Sequence, residues 1–561
     1  MLKKKLLSLL VLLCIGSLSV LAQGTFLPLG SDAYTLVDRM DIQYSKVQPT
    51  IHTSFRPYSR KWVAEYAQEI NSQNITGDDR FQYNLKWLYD ENTEWLKDTV
   101  IRSKRPILKY FYREPASLAS VDAGAFKLRI NPVMHFEVGK EFGADRLQFF
   151  NTRGGELRAY IKDKVSAYFF LVDNQMRRMT YVLDRIASDQ AVPGEGYWKD
   201  YRGTGQDFFT ARGYIAFNLL DHIDLQLGHG KNFIGNGIRS LILSDYGANQ
   251  FFLKLQTTIW KIRYTNLYTE LTSRYNRGAD RLLDKKYMTL HHLNVSISHW
   301  LEIGFFESVI FSRENGYDFQ YLNPVIFYRS VEQGLGSPDN ALLGMDFKAN
   351  FARHFQLYGQ LVLDEFNFAN IKARNGWWAN KLGIQSGLKY INAFGLDQLD
   401  LQAEFNWVRP YTYTYGGTNE NSYTHYNQAL AHPLGANFWE LTGNIRYQII
   451  PELTAQLRWM YALKGTDTLG SNFGGNIFMP TSSETGQLLT NSEFGNDMLQ
   501  GVKQRVALLD FILTYQVRHN VYFDLSIVYR NLNSDLASQN DNQFFVGGGF
   551  RLNIPYRRYH F

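Results

Sequence analysis

The chain has 561 residues, 45% hydrophobic and 15% aromatic, with 44 glycines, a mean hydropathy of −0.30 and a formal net charge of +6. After the first residues no stretch reaches the about 18 uninterrupted apolar residues of a helical membrane span, and no dense basic run suits nucleic acid. Two classes remain: a large soluble β-rich protein, or a transmembrane barrel whose apolar belt, aromatic girdles and polar interior average to a mildly polar composition.

Lys3, Lys4 and Lys5 precede an apolar stretch from Leu6 to Ile15, and Val20-Leu21-Ala22 ends on a small residue. This is the pattern of a secretory signal peptide over residues 1–22, cleaved after Ala22. Cys14, the one cysteine in the sequence, follows Leu13 inside the apolar stretch, which sets a lipoprotein reading aside. Once Cys14 leaves with the signal, the mature chain has no disulfide and no cysteine-based metal site.

Residues 23–120 read as a helical periplasmic segment. Ser59 is placed to cap a helix carrying Trp62, Val63, Tyr66 and Ile70 on one face. Thr76 and Asp79 have capping-box spacing, and Phe81, Leu85 and Leu88 follow at helical intervals. Such a segment either plugs the barrel or packs on its periplasmic base.

From about Ala125 the hydrophobic period becomes two, and residues 121–561 read as an all-β, antiparallel transmembrane barrel. Ile445, Tyr447 and Ile449 alternate with Asn444, Arg446 and Gln448; after Pro451-Glu452, Leu453, Ala455, Leu457, Trp459 and Tyr461 alternate with polar neighbours. Leu399 to Trp407, Leu509 to Val517 and Val521 to Tyr529 repeat the pattern. Short connections, such as Trp260-Lys261, His299-Trp300 and His519-Asn520, alternate strictly with long ones, near 176–205, 231–247, 314–340, 409–435 and 465–501 among others. Outer-membrane barrels sort short periplasmic turns from long external loops in this way, and the count comes to about 18 strands. The final strand stops near Tyr556, followed by a short basic tail.

The segment Gly235-Asn236-Gly237-Ile238-Arg239-Ser240 lacks the order of a phosphate loop and is expected to turn at the barrel rim. With Trp260 to Tyr268, Asn323-Pro324-Val325-Ile326-Phe327-Tyr328-Arg329 and Leu363-Asp364-Glu365-Phe366, it resembles the capsule-assembly barrel family typified by Wzi. Its likeness is greater to the RemB branch of gliding bacteria. The resemblance covers roughly 125–555. It implies an outer-membrane barrel with helices at its periplasmic mouth, with Gly235, Gly237, Arg239 and Ser240 as family-motif positions. The Wzi branch acts as a surface lectin anchoring capsular polysaccharide, and the RemB branch is associated with gliding. No catalytic motif is transferable.

In the loop 409–435, Tyr411, Tyr413, Tyr415, Tyr423, Tyr426 and Asn427 are the candidate polysaccharide-binding residues, since aromatic faces stack on sugar rings and amides match sugar hydroxyls. The competing reading puts Tyr411 to Tyr415 in the outer aromatic girdle. Asp364 and Glu365 diverge on a strand, as do His291 and His292, so neither pair forms a catalytic or metal site. The expectation is a non-enzymatic barrel without cofactor or metal. Its partners would be outer-membrane lipid or lipopolysaccharide, a surface polysaccharide and other outer-membrane proteins. A diffusion porin and an accessory subunit of an outer-membrane complex are the alternatives. Inward charges of both signs (Asp400, Glu404, Arg446, Arg458, Asp524, Arg530) fit either a pore constriction or a network that fills the lumen.

Overall fold

The computed structural model describes residues 24–561, apart from 48–50, 74–76, 97–102, 104–106, 108–109, 163, 221, 279–280, 315, 418–420 and 469. The expected signal peptide and Cys14 lie outside the described residues.

Eighteen antiparallel strands close into one barrel. The first nine are β1 Phe126–Glu141, β2 Gln148–Ile161, β3 Val165–Arg177, β4 Gly205–Leu220, β5 Ile223–Gly230, β6 Gln250–Ile259, β7 Ile262–Thr272, β8 Lys285–Ser298 and β9 Leu301–Phe311. The circuit continues through β10 Asn340–Phe351, β11 Phe355–Glu365, β12 Lys381–Ile391, β13 Leu399–Val408, β14 Phe438–Ile450, β15 Leu453–Thr466, β16 Val502–Arg518, β17 Val521–Ser534 and β18 Asp541–Leu552. Each strand pairs with its neighbour in sequence, and β18 returns to β1, with Phe545 opposite Glu141 and Leu552 opposite Met134. Closure leaves no strand edge unpaired in hydrocarbon, where water cannot satisfy it.

Strand β17 shows why these residues form such a wall. Tyr522, Asp524, Ser526 and Arg530 are buried toward the lumen, whereas Phe523, Leu525 and Tyr529 are exposed outward. Phe136, Phe169, Phe209, Phe305, Phe405 and Leu509 extend that outward apolar belt around the barrel. No described helix is long and apolar enough to cross a membrane, so the crossing is made by strands. The chain is an outer-membrane β-barrel.

The tight turns all fall at one end, together with the N-terminal helices, which makes that end periplasmic. There, α1 Ala33–Tyr44, α2 Arg60–Ser72 and α3 Asp79–Glu91 pack on one another around Val37, Val63, Tyr66 and Leu88. They dock into the barrel mouth through charge pairs. Asp41 meets Lys348 of β10 at 2.7 Å, Asp38 meets Lys389 of β12 at 2.6 Å, and Arg39 pairs with Asp400 of β13. Helix α1 carries no strong sequence cue. The cap of α3 is Asp78, which accepts from Phe81 N at 2.9 Å, in place of the predicted Thr76, which lies outside the described residues.

The last strand ends at Leu552, four residues short of the predicted Tyr556, because the chain turns at Asn553 (φ 54°) and re-enters the barrel. Arg558 donates to Gln456 at 2.6 Å, His560 lies 2.6 Å from Asp510, and Phe561 is buried. The tail meets the external helix α4 Thr180–Asp189, where the Tyr181 hydroxyl donates to Tyr559 O at 2.7 Å.

Two further short helices are α5 Tyr328–Gly334 and α6 Phe368–Ala373. Helix α5 belongs to a strap that lies on the outside of the wall. His292 faces inward to Asp346 at 2.6 Å, so its neighbour His291 faces out, where it lies 3.0 Å from Glu307. Bare toward lipid, that polar pair would be costly. The Tyr328 ring stacks 3.9 Å from His291, and Tyr328 N donates to Glu307 at 2.9 Å, sealing it. The Asn323–Arg329 run is thus a cover for an outward polar spot, with Val325 82% exposed on its outer side.

Candidate functional site

The loop between β5 and β6, residues 231–249, was expected at the barrel rim. It folds into the lumen instead. Gly235 takes φ +133°, a conformation suited to glycine, where the chain passes Gln360 of β11. Gln360 holds the bend by donating to Ile234 O at 2.9 Å and accepting from Leu241 N at 2.7 Å. A Cβ on Gly237 would lie 2.3 Å from Glu404 Oε2. Its absence lets the backbone approach, so that Ile238 N and Arg239 N donate to the Glu404 carboxylate at 2.7 and 3.1 Å. Arg239 then reaches Glu440 of β14 at 2.8 Å, and Glu440 also meets His432 at 2.8 Å. Ser240 Oγ donates to Ile234 O and accepts from Ile242 N and Leu243 N. The four motif residues therefore pin a loop across the lumen. At the loop's start, Phe233 and Ile234 pair as a strand with Arg56 and Phe55 of the N-terminal segment, joining plug and loop.

The tyrosines of loop 409–437 divide into two groups. Pro410 follows the end of β13, and Tyr411 and Tyr413 take left-handed φ of 64° and 72°, so the expected strand alternation is absent. Tyr411, Tyr413 and Tyr423 are at most 1% exposed. The Tyr413 hydroxyl donates to Leu241 O at 2.7 Å, its backbone N donates to Asp364 at 2.7 Å, and its ring stacks on Tyr423. Tyr411 donates to Asn472 O at 2.8 Å. These three rings form the core of a loop layer; they lie neither in the girdle nor in contact with solvent. Tyr415 is half-buried.

Tyr426 and Asn427 sit at the tip of a hairpin in which Thr424-His425 pairs with Gln428-Ala429. Their φ values of 52° and 57° fit the two-residue turn that the strand twist favours. The Asn427 side chain holds the adjoining loop, donating to Asp189 O at 2.9 Å and accepting from Tyr275 N at 2.9 Å. Tyr426 is half-buried, with its ring 4.7 Å from Tyr275 and one face against Gly196. Beside it Tyr197 is 47% exposed, and the Arg277 guanidinium lies 3.9 Å over the Trp198 ring. An aromatic surface with polar neighbours thus forms where three external loops meet. Sequence reasoning found Tyr426 and missed Tyr197, Trp198 and Tyr275, which lie far away along the chain. Below the tip, His425 Nδ1 accepts from Thr272 N at 2.9 Å and Nε2 faces Asn249 O at 3.0 Å. Burial pushes its pKa down to about 4.

Most of the inward charges are spent on the segments that fill the lumen. Asp400 engages the plug, Glu404 engages the inward loop, and Asp524 pairs with Arg551 beside the tail. A cavity of about 490 Å³ remains between plug, loop, tail and wall.

No known family profile matches the chain, and no curated protein matches it by sequence. Its fold is similar to that of Wzi from Escherichia coli, an outer-membrane protein involved in group 1 capsule assembly and described as a carbohydrate-binding β-barrel. The identity is 12% over 96% of this chain and 100% of that one, with a TM-score of 0.55. OprD of Pseudomonas aeruginosa is 10% identical over 76% of this chain and 95% of its own, with a TM-score of 0.39. OpdK of the same organism, solved with vanillate, is 9% identical over 76% and 98%, with a TM-score of 0.42.

Proposed function

We propose that the protein is a non-enzymatic, closed barrel that binds or organises a surface polysaccharide through its external loops, for capsule attachment or for adhesion during gliding. The observation that supports this best is the filled lumen: the N-terminal segment, the loop 231–249 and the tail 553–561 occupy the space a diffusion pore would leave open. What then faces outward is the aromatic surface of Tyr197, Trp198 and Tyr426, which offers ring faces to sugars beside hydrogen-bonding groups. The carbohydrate binding described for Wzi is in keeping with this role.

The test has two arms. Purified protein in planar bilayers should show no stable large-ion current. On glycan arrays it should bind a surface polysaccharide and lose that binding in Tyr197→Ala/Tyr426→Ala, whereas Tyr415→Ala should change it little. A steady open-channel current would favour the porin reading, on whose side stands the remaining cavity of about 490 Å³.

A further inference from the structure

We propose that the cavity inside the barrel is a binding site for an oxyanion, the carboxylate or phosphate group of a small ligand, with Arg446 and Arg458 as its anchoring pair. This goes beyond the external glycan surface and does not depend on it.

Register places the two arginines together. Arg446 of β14 lies opposite Gln456, and Arg458 of β15 opposite Asn444, so they are diagonal neighbours on the inner face. Both line the cavity. Arg446 is 6% exposed, yet its Nη1 has no hydrogen-bond partner, nor has Nε of Arg458. Among the described residues neither has a carboxylate oxygen within 4.0 Å.

Of the other cations of the cavity, Lys231 donates to the backbone Asp245 O at 3.0 Å, and most of the rest are paired with carboxylates. Arg60 pairs with Glu91 at 2.8 Å, Arg239 with Glu440 at 2.8 Å, Lys389 with Asp38 at 2.6 Å, Arg558 with Asp510 at 3.3 Å, and Arg551 with Asp524. Asp400, directly across from Arg446 on β13, is held by Arg39 of α1. Two guanidinium groups therefore face a polar cavity without a direct ion pair, since the carboxylates across from them, Asp400 and Asp510, are engaged by Arg39 and by Arg558 and His560. Uncompensated charge in such a place is unfavourable, and an anion that supplies the missing charge gains charge-assisted bonds from two planar forks.

The surroundings fit a ligand larger than a bare ion. Gln516, further along β16 toward the periplasmic end, adds an unpartnered amide Nε2 to the lining. A volume of about 490 Å³ falls among ordinary small-ligand sites, which run from about 300 to 1,000 Å³. The lining extends from Tyr83 and Pro451 at the periplasmic rim to Pro193 and Gly194 under the external loops.

Titration calorimetry on the full chain in detergent, with glucuronate, inorganic phosphate and glucose as probes, tests the site. At least one anion should bind saturably, more weakly as salt rises, and glucose should not bind. Arg446→Gln/Arg458→Gln should weaken the anion more than tenfold, and Arg446→Lys/Arg458→Lys, which keeps charge without the fork, should weaken it less. Tyr426→Ala should leave it unchanged. Heat-dependent gel migration reports an intact barrel; should the glutamine pair not insert, the lysine pair must still weaken binding by a measurable factor. Glucuronate alone would identify a carboxylate ligand, phosphate alone a phosphate ligand, and both a general oxyanion site. The proposal fails if neither anion binds, if glucose binds as well, or if the variants bind like the parent. Glycan-array binding at Tyr426 is read separately, so either reading can fail alone.

Discussion

Replacing Glu404 by Ala should release the loop 231–249 from the lumen. Glu404 accepts from Ile238 N at 2.7 Å, Arg239 N at 3.1 Å, the Tyr358 hydroxyl at 2.9 Å and Asn406 Nδ2 at 2.9 Å. Removing the carboxylate orphans two backbone N–H groups of the loop, and each unsatisfied buried donor costs about 1–3 kcal/mol. Water from the adjoining cavity repays part of this, which puts the penalty near its lower end, about 2 kcal/mol in all. At about 1.4 kcal/mol per factor of ten, the outward population of the loop should rise about 30-fold. Leu241 is fully buried in this loop, and Cys14 is the sole cysteine of the sequence, so Leu241→Cys in a Cys14→Ser chain gives a single reporter. Its labelling rate by a soluble maleimide measures the opening. The Glu404→Ala background should raise that rate about 30-fold, and Glu404→Gln, which keeps an acceptor oxygen, should raise it less. Equal rates in all three backgrounds, with the barrel still heat-modifiable, would refute the claim that this carboxylate holds the loop.

Gly237→Ala should open the same loop, because its Cβ would lie 2.3 Å from Glu404 Oε2. The two changes together should be less than additive in the labelling assay, since they break one contact. Lys348→Met should loosen the plug. It leaves Asp41 and Glu302 buried without their cation, at a cost of about 3–5 kcal/mol, and hydrogen exchange in α1 should speed up while the strands stay protected. Acidification should loosen the hairpin that carries Tyr426. His425 has a folded pKa of about 4 against an ordinary 6.5, so the unfolded form binds the extra proton first; the stabilisation is whole above pH 6.5 and is lost as pH falls toward 4. Protonated Nδ1 can no longer accept from Thr272 N, and the expected result is a lower protection factor at Tyr426 N at pH 5 than at pH 7, once the intrinsic pH dependence of exchange is divided out. His425→Gln should abolish that pH dependence.

The wall was legible because each of its residues answers to a local rule. Phe523 and Asp524 are neighbours with opposite surroundings, lipid and lumen, and that demand writes a period of two into the sequence. The order of turns was legible for the same reason: Pro451-Glu452 and His519-Asn520 break the alternation for only two residues, leaving room for nothing but a hairpin. The helices of the plug were legible where an apolar stripe marks them, as in Trp62 to Ile70, and illegible in α1, whose buried face includes Arg39 and Asp41.

The candidate site was harder to read. Tyr411, Tyr413, Tyr423 and Tyr426 look alike in sequence, yet the first three are core and the fourth is at the surface. A long polar loop suits water and a polar lumen equally well, so its composition does not say which it meets. Gly235 to Ser240 turn inward because Gln360, Glu404 and Glu440, all more than a hundred residues further on, present acceptors at the right height. Sequence alone therefore determined a closed barrel, its lipid-facing side and the order of its strands, since lipid acts on each residue separately. Which loops enter the lumen, which tyrosines reach solvent and which arginines are left without a partner depended on distant groups meeting, and only the folded chain brings them together.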